Sequence, residues 1–188
     1  MGLAELFLVA VGLSMDAFAA AVCKGLSIGK AKARHALTVG LYFGAFQAAM
    51  PLLGYYAGTR FAGYIAGLDH WVAFLLLAFI GGRMIYESRK ENCPAGSDAA
   101  SLSPRAMLPL AVATSIDALA VGVSFALVQS SIGPAALFIG VTTLALSMLG
   151  VMVGRGAGER LKGKAEFAGG AVLVIIGIKI LAEHTGLI

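Results

Sequence analysis

Stretches of about 20 mostly apolar residues recur along the chain, near 3–23, 36–58, 68–87, 106–128, 133–153 and 165–186, and that is the length a helix needs to cross the hydrocarbon core of a bilayer. In lipid every backbone N–H and C=O must bond within the chain, so such runs predict transmembrane helices. The expected fold class is all-α, a polytopic membrane protein of six transmembrane helices. Of the 188 residues, 59% are hydrophobic and 13% charged, against roughly 25% charged in a soluble domain. Residues 1–188 read as a single membrane domain.

The opening segment MGLAELFLVAVGLSMDAFAAAVCKG has no early Lys or Arg, carries Glu5 and offers no obvious cleavage point. It reads as a retained first helix, not a signal peptide. The connectors are short and basic or Gly-rich, except for ESRKENCPAGSDAASLSPR between the third and fourth runs, which supplies a central loop at 91–105. Lys24, Lys30, Lys32, Arg34, Arg83, Arg89, Lys90, Arg105, Arg155, Arg160, Lys162 and Lys164 fall on one side of the expected membrane, and only Arg60 and Lys179 on the other. Short loops rich in Lys and Arg stay in the cytoplasm. The central loop is therefore expected to be cytoplasmic and both termini extracytoplasmic, with the basic residues acting as topology markers. The formal net charge is only +4, without a basic stripe interleaved with aromatics, so nucleic acid is not an expected partner. Cys23 and Cys93 do not form a C-x-x-C pattern and read as plain residues.

The chain also repeats itself. SMDAFAAAV, 14–22, matches SIDALAVGV, 115–123, at an offset of 101. At an offset of 96, Gly54 and Gly58 fall on Gly150 and Gly154, and Gly81, Arg83 and Glu87 fall on Gly177, Lys179 and Glu183. Each half, 1–90 and 106–188, holds three spans, an odd number, so the second half must enter the membrane from the opposite face. Two inverted three-helix repeats of this kind place a transport site near the midplane, where the repeats meet.

Asp16 and Asp117 lie deep in the first and fourth runs at equivalent repeat positions. An aspartate at the centre of a membrane helix costs at least about 2.5 kcal/mol, and ionisable residues there mark ion paths, proton relays or partners. The neighbours that share each helix face are Gly12, Ala19, Ala20 and Cys23 for Asp16, and Ala113, Thr114, Ala120, Val121 and Ser124 for Asp117, by the three-, four- and seven-residue spacing of a helix. These mainly small faces allow close helix approach, which predicts two carboxylates around a common cavity. Thr114 and Ser124 are positioned to add oxygens. Ser14 and Ser115 precede the aspartates by two residues, about 200° around a regular helix, and join the site only if the helix unwinds locally. Gln47, with Thr143 as its repeat equivalent, is either a further oxygen ligand or an interhelical hydrogen-bonding residue. Pro51 frees the Gln47 carbonyl from its usual helical donor. His35, His70 and His184 sit near span ends and read as interfacial.

Paired carboxylates with hydroxyl, amide and carbonyl oxygens form a hard-ligand site suited to Mg, Ca or Mn rather than to Zn or Cu. From the residues alone the reading stops at a divalent cation or a proton-linked solute. The segments SMDAFAAAVCKG, LYFGAFQAAMPLLGYYAG, HWVAFLLLAFIGGRMIYE, ATSIDALAVGVSFAL and KGKAEFAGGAVLVIIGIKIL together resemble the bacterial MntP-type manganese exporters over nearly the whole chain apart from the central loop. The resemblance implies a multi-pass protein of the bacterial cytoplasmic (inner) membrane that exports Mn²⁺ as its transported substrate, with no cofactor and no enzymatic activity. It also implies that Asp16 and Asp117 carry function. Export against a negative interior costs about 4.6 kcal/mol for two charges at 100 mV. No G-x-x-x-x-G-K-[ST] nucleotide motif occurs, so protons are the expected coupling ion. Competing readings are export of another divalent cation or a small solute and, remotely, an intramembrane aspartyl protease, which would show a G-x-G-D motif. A monomer and a homodimer both suit the sequence.

Overall fold

Over the residues that are described, the apolar runs are helical. The structure, a computed structural model, describes residues 3–65, 69–88, 93, 100–127 and 132–184. The helices are α1 (Leu3–Ile28), α2 (Ala33–Ile65), α3 (Asp69–Glu87), α4 (Pro104–Thr114), α5 (Ile116–Leu127) and α6 (Ile132–His184). Among the described residues, Leu6–Ile28, Ala33–Arg60 and Ile132–Gly154 are long and apolar enough to cross a membrane, and Pro104–Thr114 with Ile116–Ala126 forms a fourth, bent candidate. The chain is thus an all-α polytopic membrane protein with three to four candidate spans by length and composition. The expected third and sixth spans are helical but do not meet that test among the described residues.

Outward-facing Leu37, Leu41, Leu53, Phe79, Leu137, Val141, Ile175 and Ile178 are exposed. A soluble monomer rarely leaves so much apolar surface in water, whereas lipid solvates it. Helix α4 begins at Pro104, with Ser103 extended just before it at φ −64°, ψ 151°. Proline is well suited to a first helical position, where its missing N–H costs nothing. The connector therefore ends before 105, and its residues 91, 92 and 94–99 lie outside the described ones. Between α1 and α2 the turn passes through Gly29 at φ 69°, a conformation that a residue without Cβ adopts freely.

The sequence predicts a connector near 154–164, yet the backbone is helical across it, within the 53-residue α6. Residues 159–165, ERLKGKA, are mostly strong helix formers. A straight helix of that length would measure about 80 Å, well beyond a hydrocarbon core of about 30 Å. Its contacts show that it is not straight. Phe18 and Val22 of α1 meet Gly150 and Gly154 in the same chain order, whereas Gly12 and Met15 meet Leu173 and Gly169 in reversed order. One arm of α6 runs parallel to α1 and the other antiparallel.

Close backbone contacts govern the packing. A Cβ on Gly44 would lie 2.9 Å from the Gly140 carbonyl oxygen, and a Cβ on Gly140 would lie 2.9 Å from that of Gly44. On one side of this crossing, Gly54 and Gly58 of α2 abut Leu119 and Val123 of α5; on the other, Gly150 and Gly154 of α6 abut Phe18 and Val22 of α1. Small residues let helix backbones approach where lipid leaves packing as the main adhesive. Glycines four residues apart, at 40/44, 54/58 and 150/154, thus lie at helix contacts.

Candidate functional site

Asp117 owes its setting to a break in the helix. Thr114 Oγ1 donates to the carbonyls of Leu110 (3.0 Å) and Ala111 (3.2 Å), and Ser115 Oγ to those of Ala111 (2.7 Å) and Val112 (3.2 Å). Hydroxyls that bond back to the preceding turn compete with the helical ladder and bend it. Here two successive residues do so, and α4 and α5 meet at 42°. Ser115 sits between them at φ −114°, ψ 7°, so the local unwinding on which its inclusion depended is present in this half. In the equivalent half, α1 stays helical through Ser14.

The break leaves Asp117 in the first turn of α5. Its Oδ1 accepts the Ala118 N–H at 2.7 Å. Its Oδ2 is buried with no hydrogen-bond partner among the described residues, although the residue is only 8% exposed. Asp117 interacts electrostatically with Asp16 and with Arg83 of α3. Arg83 therefore does more than mark topology. A hint lay in the repeat, which sets a basic residue, Lys179, at the matching position.

A second polar group gathers elsewhere. Ser14 Oγ and Thr143 Oγ1 are 2.8 Å apart, Ser14 Oγ donates to the Ala10 carbonyl at 2.6 Å, and Gln47 Nε2 donates to the Leu13 carbonyl at 3.1 Å. Ser14, Gln47, Thr143 and Ser147 are all fully buried. Gln47 Oε1 and Ser147 Oγ have no hydrogen-bond partner among the described residues. Because Ser14 and Asp16 differ by about 200° around α1, this neutral cluster looks away from the Asp16 carboxylate. The residues singled out in sequence thus divide into Asp117, in the field of Asp16 and Arg83, and a group of neutral oxygens between α1, α2 and α6. Thr114 and Ser124 belong to neither by hydrogen bond, since Ser124 Oγ donates to its own helix at Ala120 O, 3.2 Å.

Sequence reasoning passed over three further residues. Glu166, placed at the border of the sixth run, is buried. Ser147, the repeat partner of Pro51, carried no motif. Lys24, read as a topology marker, is only 5% exposed, with Nζ donating to the Ser101 carbonyl at 2.9 Å. The two cysteines, read as plain and separate, are joined as a disulfide with Cα atoms 5.3 Å apart. Seventy residues separate them in the chain, and no spacing rule links cysteines so distant. Among the described residues no three His, Cys, Asp or Glu side chains come together to hold a metal.

Comparison with known proteins gives one family. The family described as "Putative manganese efflux pump" matches residues 30–181. A relative of that description, MntP of Desulfitobacterium hafniense (strain Y51), is 54% identical over 186 residues, covering 99% of this chain and 97% of its own. That of Acetivibrio thermocellus is 51% identical over 184 residues, 98% of this chain and 92% of its own. That of Clostridium perfringens (strain 13 / Type A) is 46% identical over 208 residues, 100% of this chain and 98% of its own. No solved structure matches.

Proposed function

The chain belongs to the MntP family of manganese efflux pumps, and from that premise we propose that it exports Mn²⁺ from the bacterial cytoplasm across the inner membrane, through a site shared by Asp16 and Asp117. The observation that carries the site is Asp117 Oδ2, a buried carboxylate oxygen with no donor among the described residues, in the field of a second carboxylate, Asp16. Two like charges in a low-dielectric setting repel strongly. A divalent cation turns that repulsion into attraction, and two carboxylates balance its charge. With two carboxylates at hand, the remaining positions of a hard ion are left to neutral oxygens and water.

Arg83 fits this reading as the charge that tempers the pair when the cation has left. A guanidinium is always protonated, so the carboxylates would retain a positive neighbour in the empty carrier.

The architecture proposed around the site is six spans in two inverted halves, 1–90 and 106–188, with a cytoplasmic connector and extracytoplasmic termini. The reciprocal Gly44–Gly140 contact supports it, as do the matched pairs Gly54–Leu119 and Gly150–Phe18. In each match, the α2 and α6 partners lie 96 residues apart and the α5 and α1 partners 101. The opposed arms of α6 would supply the fifth and sixth spans. The protease reading finds no support in a family of efflux pumps.

Uphill export needs coupling, and proton antiport supplies it: the aspartates release metal outward as they take up protons. Two protons per Mn²⁺ make the cycle electroneutral. In vesicles reconstituted with the full chain, an imposed pH gradient, acid on the side to which metal is exported, should drive Mn²⁺ uphill while a membrane potential alone should not. Metal flux indifferent to the pH gradient would dismiss antiport.

A further inference from the structure

The two copies of the aspartate motif differ in their backbone. Around Ser115 the helix is broken, and side chains meet the carbonyls at the break: Ser115 Oγ donates to Ala111 O at 2.7 Å and Thr114 Oγ1 to Leu110 O at 3.0 Å. At membrane depth a freed carbonyl is tolerated only where such a donor reaches it. Around Ser14 the helix is unbroken, yet donors of the same kind stand beside it. Ser14 Oγ donates to Ala10 O at 2.6 Å, the bond that corresponds to Ser115 with Ala111 at the offset of 101. Thr114 has no hydroxyl counterpart, because Leu13 occupies the matching position. A donor from another helix is found there instead: Gln47 of α2 gives its Nε2 to the Leu13 carbonyl at 3.1 Å. In a regular helix that carbonyl is served by the N–H four residues on, at Ala17. The buried amide therefore supplies a second donor to a carbonyl that an intact helix already satisfies.

We propose that α1 carries a second hinge, at Ser14, which opens as the break at Ser115 closes, and that Gln47 is the positioning residue that holds the Leu13 carbonyl when the Ala17 N–H is drawn away. This hinge rests on the inverted halves and the export reading given above. Alternating access in inverted repeats moves one half against the other around a fixed site, and two halves that differ in where a helix breaks can do so by exchanging the break. The exchange sets Asp16 in the first turn of a helix, as Asp117 is now, and returns Asp117 to the interior of one. The two carboxylates already differ in exposure, Asp117 being buried and Asp16 partly exposed. Opening α1 strands the carbonyls just before the hinge, and those of Ala10 and Leu13 have their replacement donors in place.

The test is amide hydrogen exchange, read by mass spectrometry, on the full chain in lipid nanodiscs, as wild type, Gln47→Leu and Ser115→Ala. Exchange reports local opening, and in the wild type residues 15–18 should exchange faster than the turns of α1 on either side. Gln47→Leu should slow exchange at 15–18 about tenfold, which is what one donor to a buried carbonyl contributes to the opening equilibrium. Mn²⁺ flux in proteoliposomes should fall to a similar extent. Ser115→Ala, which removes a bond that holds the present break, should slow exchange at 116–119 and quicken it at 15–18. If Gln47 only fastens α2 to α1, the sign reverses, and Gln47→Leu quickens exchange in both helices. That result would overturn the hinge, as would exchange at 15–18 that Ser115→Ala leaves unchanged. Absence of Mn²⁺ flux in wild-type vesicles would instead count against the export reading, leaving the exchange rates to decide the hinge.

Discussion

Replacing Asp117 with Asn should cut manganese efflux about 100-fold while leaving the protein inserted and folded. The reasoning begins with charge. A divalent cation about 4 Å from one carboxylate gains roughly 8 kcal/mol at an effective dielectric of 20, most of which is lost again in stripping water from both groups. A residue of about 3 kcal/mol corresponds to roughly 100-fold in occupancy. Asparagine keeps the volume, and its Oδ1 can still accept the Ala118 N–H that Asp117 holds at 2.7 Å, so the bend between α4 and α5 should survive. The buried Oδ2, which has no donor among the described residues, becomes an amide, which costs less to bury than a charge. Manganese content of exporter-deficient cells, with and without the variant at matched membrane abundance, reads the effect. Wild-type manganese levels in cells carrying Asp117→Asn would remove Asp117 from the path.

The second large effect concerns packing. Gly54→Val should destabilise the bundle by about 3 kcal/mol or more, because a Cβ at Gly54 runs into the Leu119 carbonyl and backbone cannot rotate aside as a side chain does. Overpacking a tight contact typically costs 1–3 kcal/mol, roughly, and more where nothing yields. Gly82→Ala is the control of opposite sign. Nothing lies within 4 Å of a Cβ there, and alanine in a helix gains about 1 kcal/mol over glycine. Thermal unfolding in detergent should therefore place Gly54→Val well below the wild type and Gly82→Ala at or above it. Equal stability of Gly54→Val and the wild type would show that α2 and α5 do not meet at this glycine.

How much of this could be read in the residues differs from element to element. The helices follow from apolar length, and the equivalence of Asp16 and Asp117 in the two halves follows from a nine-residue motif that occurs twice. Both signals are local. The bend at Ser115 was not legible, because Ser and Thr are tolerated in regular helices and only tertiary setting decides whether their hydroxyls win the carbonyl; Ser14 makes the same back-bond at 2.6 Å without breaking α1. Nor could spacing bring Cys23 to Cys93. Basic residues near span ends carry two meanings, topology and contact within the fold, and charge counting hears only the first. Lys24, which donates to the Ser101 carbonyl, and Arg83, in the field of Asp117, show the second. Gln47 sits between its two readings: its amide N–H₂ makes the interhelical bond to Leu13, while its Oε1 meets no donor among the described residues.

If Asp16 and Asp117 share one ion, the measurement that speaks most directly is a cycle of Mn²⁺ affinities, by equilibrium dialysis, for the full-length wild type, Asp16→Asn, Asp117→Asn and the double variant. Groups that act on a common ligand are strongly non-additive. Each single change should cost about 100-fold, as charge loss at a shared divalent ion implies, and the double variant should lose little beyond either single. Losses that simply multiply, or a single variant that binds manganese as the wild type does, would contradict a shared site.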